Sequence, residues 1–260
     1  FLMEILGYVG ALFIGLVLGL TGGGGSILTV PILVYLMSIS PVTATAYSLF
    51  IVGTTSTFGA IQNYRKNLVD LKNGFIFAIP SFVAVYLTRK YILPEIPKII
   101  LESPILITKD TFLMLFFAVI MIFGALSVLK KKSQDTQNEE KRNLILIGIQ
   151  TFTIGIIIGL VGAGGGFLII PSLILFAKLP MRKAVGTSLF IIAMNSLVGF
   201  IGDVQNLEID WLFLLTFSAI SVVGIFIGMY LTKYTNESQL KKIFAYFVLV
   251  MAAIILLKEM

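Results

Sequence analysis

Apolar residues dominate this chain in long unbroken runs rather than in alternation. The stretch "FLMLFFAVIMIFGALSVL", Phe112–Leu129, carries no charge and has about the 18–20 residues that cross a bilayer as helix. Comparable runs recur along the whole length. Short segments of alternating apolar and polar positions, the mark of a membrane β-barrel, are absent. The pattern predicts an all-α polytopic membrane protein, placed in the cytoplasmic (inner) membrane.

In the first half the runs predict a broken helix pair over 4–20 and 26–39, then long helices over 42–62, 72–93 and 110–129. In the second half they predict a pair over 143–161 and 166–179, then helices over 183–202, 209–232 and 239–257. Glycine makes each break. "GLTGGGGSILTVP" runs from Gly19 to Pro31 and "GLVGAGGGFLIIP" from Gly159 to Pro171. Glycine is the poorest helix former after proline, so each segment reads as a turn.

The two segments belong to a duplication with an offset of 140 residues. Gly15, Gly19, Leu20, Gly22, Gly24, Gly25, Leu28 and Pro31 fall on identical residues at Gly155, Gly159, Leu160, Gly162, Gly164, Gly165, Leu168 and Pro171. "ATAYSLFI" (Ala44–Ile51) lies over "AVGTSLFI" (Ala184–Ile191), and Asp70 over Asp210, without a gap. The organisation expected is repeat 1 over 1–129, a cytoplasmic linker over 130–142, and repeat 2 over 143–260.

Loop charges set the relative direction of the halves. "NYRKN" (Asn63–Asn67) is basic where "DVQNLEID" (Asp203–Asp210) is acidic; "ISPVT" (Ile39–Thr43) is uncharged where "LPMRK" (Leu179–Lys183) is basic. Positive loops stay cytoplasmic, so equivalent loops prefer opposite sides and the repeats are inverted. Inversion needs an odd number of crossings per repeat. Three long helices supply it, and the broken pair becomes a re-entrant hairpin. Each arm is expected to fall short of the ~30 Å hydrocarbon core.

Composition refines this picture. Of 260 residues, 58% are hydrophobic and 12% charged, with net charge +6. The surplus of Lys and Arg, including Arg65, Lys66, Arg182 and Lys183, reads as positive-inside anchoring rather than nucleic-acid binding. With no Cys and no His, thiol chemistry and the usual pH switch are excluded. No cofactor and no metal site is expected. The first segment lacks a small-x-small cleavage site after a basic region, which predicts that it is retained. No ionisable residue falls mid-helix, which argues against a carboxylate proton relay and a membrane hydrolase. Asp203 reads as an interfacial loop residue.

Irregular backbone at membrane depth is tolerated where it lines a cavity or is buried in protein. The second arm of each hairpin begins at the turn, so its N-terminus points positive dipole and unshielded N–H groups inward. Two such termini meeting near the midplane form an anion site without a charged side chain. The turn residues are Thr21, Gly22, Gly23, Gly24, Gly25 and Ser26 in the first half, and Gly162, Ala163, Gly164, Gly165 and Gly166 in the second. Gly24 and Gly164 are the matched pair expected to need positive φ. Gly15 and Gly155 are expected to matter only for packing. The following helix adds a polar face, Ser48, Thr55, Ser56 and Gly59, matched by Ser188, Asn195, Ser196 and Gly199. Small polar residues also serve close helix packing in membranes. A phosphate-binding loop would need Gly-Lys-Ser/Thr, and no lysine is near.

The paired segments Gly15–Pro31 and Gly155–Pro171, one per half, resemble those of the sulfite exporter TauE/SafE family, also called the toluene sulfonate uptake permease family. The resemblance covers essentially the whole chain. It implies a secondary transporter of sulfite, sulfoacetate or other organosulfonates. The residues alone say an anion, and an oxyanion best. An anion channel, a carboxylate carrier and a non-transporting membrane scaffold are the alternatives. The partners expected are a small anionic substrate, the lipid bilayer and a coupling ion, H+ or Na+; direction and oligomeric state stay open.

Overall fold

The computed structural model describes residues 2–101, 107–129, 144–162, 165–204, 207–232, 234 and 237–259. The linker over 130–142, Ala163 and Gly164 lie outside the described residues. Helices form where the apolar runs place them: α1 (Leu2–Thr21), α2 (Ser26–Tyr35), α3 (Pro41–Arg65) and α4 (Leu71–Leu87). The last continues through a π-helical turn, Thr88–Ile92, into the short α5 (Leu93–Glu95). Then follow α6 (Lys109–Leu129), α7 (Leu144–Val161), α8 (Gly166–Phe176), α9 (Met181–Asp203), α10 (Trp211–Leu231) and α11 (Glu237–Glu259). A small antiparallel pair, Ile99–Leu101 with Ile107–Thr108, was not expected from the sequence.

Among the described residues, Leu71–Glu95, Lys109–Leu126, Met181–Asp203 and Trp211–Leu231 are long and apolar enough to cross a membrane. This is fewer than three per half. Helix α3 has 25 residues but is not among them, because its serines, threonines and Asn63 dilute its apolar content. The apolar described part of α11 is Val248–Lys258.

The broken pairs are lopsided. Helix α1 has 20 residues, about 30 Å at 1.5 Å per residue, and its apolar described part, Ile5–Thr21, is not among the helices long enough to cross. Helix α2 has 10, about 15 Å. The second arms stop at Tyr35 and Phe176, before the expected ends, because Ser38 (φ 55°) and Lys178 (φ 52°) turn left-handed. There Ile39 N donates to Leu33 O at 3.1 Å and Leu179 N to Leu173 O at 3.3 Å, satisfying carbonyls the helix end leaves open.

Packing contacts come in matched pairs. Helix α1 packs on α10 and α7 on α4; α10 packs on α3 and α4 on α9; α2 packs on α3 and α8 on α9. Helices α3 and α9 pack on each other, as do α6 and α11. Each contact has its counterpart in the other half. The helix starts match too: the Asp70 carboxylate accepts from Asn73 N at 2.9 Å and that of Asp210 from Phe213 N at 3.0 Å, and each cap satisfies a free N–H of the first turn.

Glycine sets how closely these helices approach. A Cβ on Gly15 would strike Ser221 O and lie 2.8 Å from Ile225 N; one on Gly155 would strike Ser81 O and lie 2.7 Å from Ala84 Cβ. Backbone therefore lies on backbone at both seams, as small residues allow in membranes. The buried apolar side chains form two clusters, one around α1, α3, α6, α10 and α11 and one around α4, α7, α8 and α9. Large apolar side chains such as Phe123, Ile145, Leu212 and Leu257 cover the outside, as a lipid-facing surface requires.

Candidate functional site

The first glycine turn begins where α1 runs out. Gly22 is left-handed at φ +76°, with its N–H on Leu18 O at 2.8 Å. Thr21 Oγ1 donates to Val17 O at 2.8 Å and accepts from Gly24 N at 3.0 Å. Ser26 Oγ donates to Gly23 O at 2.7 Å. The side chains of Thr21 and Ser26 thus hold the turn itself. Gly22, Gly23, Gly24, Gly25 and Ser26 are all buried.

In the second turn Gly162 (φ +70°) and Gly165 (φ +69°) are both left-handed. Gly165 caps α8 and accepts from Ile169 N at 3.0 Å. The left-handed glycine of the first turn is Gly22, not Gly24 as expected, and Gly25 is right-handed at φ −68°. The sequence marks which residues turn but not which of them reverses hand, since that depends on how the next helix leaves.

The two turns touch. A Cβ on Gly23 would lie 2.6 Å from Gly166 Cα, and one on Gly166 would run into Gly23 Cα. Only two glycines allow so close an approach. Ser188 of α9 reaches across the halves: its hydroxyl donates to Gly22 O at 2.6 Å, sharing Val185 O at 2.8 Å.

The polar faces of α3 and α9 lie in the interior, and of them Ser188 reaches the first turn. Ser48, Thr55 and Ser56 of α3 and Ser188, Asn195 and Ser196 of α9 are fully buried. Ser48 Oγ, Thr55 Oγ1, Ser56 Oγ, Ser196 Oγ and Asn195 Nδ2 have no hydrogen-bond partner among the described residues. Burying such a group without a partner costs about 1–3 kcal/mol. Asn195 Oδ1 accepts from Ser81 Oγ at 2.9 Å. Ser81 in turn lines a small cavity with Thr151 and Ser172.

One group was missed. Arg89 lies in the π-helical turn and is fully buried, and its Nη1 meets Asp203 Oδ2 at 3.1 Å and Thr45 Oγ1 at 3.1 Å. This corrects one expectation: Asp203 is not a loop residue but the last residue of α9, 3% exposed and paired, and the two charges meet near helix ends rather than mid-helix. Pro94 explains the π turn. It has no N–H for Lys90 O, and Leu93 N bonds back to Thr88 O. Nothing in the local sequence singles out Arg89, because its partner Asp203 is 114 residues away. A signal was there in the duplication: at the 140-residue offset, Thr45, Arg89 and Asp203 fall on Val185, Met229 and Asn63.

Comparison with known proteins gives the same family that the motifs suggested. A "Probable membrane transporter protein" of Xylella fastidiosa (strain 9a5c) is 26% identical over 246 residues, 92% of this chain and 89% of its own. "Probable membrane transporter protein YdhB" of Bacillus subtilis (strain 168) is 29% identical over 229 residues, 86% of each. No solved structure matches. The model of the sulfite exporter TauE/SafE family matches residues 8–255, nearly the whole length, and the chain belongs to that family.

Proposed function

We propose that this chain is a secondary transporter that carries small sulfur-containing anions, such as sulfite, sulfoacetate or other organosulfonates, across the cytoplasmic membrane. The observation that carries the reading is the meeting of the two glycine turns, Gly23 against Gly166, in an interior that holds buried hydroxyls without a hydrogen-bond partner among the described residues. Partnerless donors beside two helix starts suit an oxyanion, whose oxygens accept several hydrogen bonds at once. Family membership and the relatives' printed names support transport. The sulfur chemistry rests on the family's description.

The two halves work as inverted repeats, each a re-entrant pair followed by three crossings. The loop charges support this, as do helix contacts that recur in pairs. Alternating access comes from one half rocking against the other about the joined turns.

Flux into liposomes tests the reading. A carrier gives saturable uptake of sulfite or sulfoacetate that a competing anion inhibits. Conductance without saturation means a channel, uptake of acetate alone means a carboxylate carrier, and no flux means a scaffold.

A further inference from the structure

Arg89 is bound on one side only. Nη1 is taken up by Asp203 and Thr45, while Nε and Nη2 have no hydrogen-bond partner among the described residues. Nε and Nη2 form the side edge of the guanidinium, whose two parallel N–H bonds fit two oxygens of one anion. This edge lies at the second glycine turn: a Cβ on Gly162 would sit 2.6 Å from Nη2. Thr88 Oγ1, one residue earlier, is buried and also without a partner. At the outer end of the π turn Lys109 Nζ donates to Leu93 O, adding a second positive charge.

The duplication is an internal control for a purely structural role. Gly15 packs on Ser221 where Gly155 packs on Ser81, so the 140-residue register holds through α4 and α10. In the first half the corresponding turn glycine, Gly22, meets Val185, and Met229 and Asn63 stand for Arg89 and Asp203. Gly22 therefore meets an apolar side chain where Gly162 meets the guanidinium. A buried ion pair is often no more stable than apolar side chains of similar volume, so the fold does not require this one. A π turn inside an α-helix is also frequent at functional sites.

We propose that Arg89 is the charged anchor of the transported anion. Its Nε and Nη2 take two oxygens of the sulfite, sulfonate or carboxylate group, while Asp203 and Thr45 hold Nη1 and fix the plane of the fork. The edge abuts the backbone of Gly162. This rests on the transport reading above and adds a side chain to a site otherwise made of backbone and hydroxyls. It also makes the site one-sided, with the charged pair at only one of the two glycine turns.

Purified full-length protein, titrated with sulfite, sulfoacetate and acetate in a thermal-shift measurement, tests the assignment, with uptake into liposomes as the second readout. Arg89→Lys keeps the charge but loses the fork, and is expected to weaken binding about tenfold or more. Asp203→Asn removes a competing negative charge and is expected to tighten it. The double variant Arg89→Met with Asp203→Asn copies the equivalent residues Met229 and Asn63 and is expected to fold without binding the probes. Unchanged affinity in Arg89→Lys, or binding and uptake retained by a folded double variant, overturns the proposal and leaves the transport reading standing. Should the double variant not fold, the opposite signs of the two single variants decide. If the unaltered protein neither binds nor carries any of the three anions, the transport reading fails and this proposal with it.

Discussion

At Gly22 and Gly162 the backbone is left-handed, φ +76° and +70°, and a Cβ would run into Val185 or Arg89 and Thr45. Alanine at either position is expected to cost about 1–2 kcal/mol in backbone strain, with the collision in addition, and to abolish anion uptake. Gly148 in α7 has nothing within 4 Å of an added Cβ. Gly148→Ala is therefore the control. It is expected to keep uptake and to hold or raise the melting temperature, since alanine favours helix by about 1 kcal/mol over glycine. Equal uptake in all three variants would remove the turns from the site. The buried serines separate function from packing by sign. Ser56 Oγ has no partner among the described residues, so Ser56→Ala is expected to leave stability unchanged or raise it while weakening sulfite binding. A lower melting temperature with unaltered affinity would make Ser56 a packing residue.

At the scale of elements, the tightest feature is the seam between α1 and α10, with its counterpart between α7 and α4. Gly15, Gly19, Gly224 and Gly228 bring the first two helices into backbone contact. The sequence predicts that Gly15 matters only for packing. Its neighbours at the Cβ position are instead backbone atoms of Ser221 and Ile225, which cannot rotate away as a side chain can. Gly15→Ala is expected to lower stability by about 1–3 kcal/mol, the usual range for overpacking, read as a lower melting temperature in detergent. A melting temperature equal to that of the unaltered protein would mean that the two helices slide apart without cost.

At the scale of the whole molecule, the inverted arrangement makes a topological statement. Single cysteines are clean probes because the chain has none of its own. Labels at Lys66 and Lys183 are expected to react from the cytoplasmic side and one at Glu208 from the outside. Lys66 and Glu208 belong to equivalent loops of opposite charge, so reaction from the same side would make the repeats parallel. In that case each broken pair would count as one crossing, and the two turns would not approach from opposite faces.

The sequence by itself determined the helices, their order, the two glycine turns and the register of the duplication. These are local or periodic properties: apolar runs of bilayer length, glycines that end a helix, identical residues at a fixed offset. It also determined that Ser48, Thr55, Ser56, Asn195 and Ser196 share buried faces, because helical spacing alone puts them there. Only the tertiary structure decided that Gly23 meets Gly166, that Ser188 reaches the first turn, and that Gly15 lies on a neighbour's backbone. It alone decided that Arg89 and Asp203, near the ends of different helices, become a buried pair facing Gly162. Such contacts join residues more than a hundred positions apart, and no local pattern encodes which helix faces lie against each other. The two halves share one architecture through their common spacing, and within the buried interior they part where packing brings Thr45, Arg89 and Asp203 to one point.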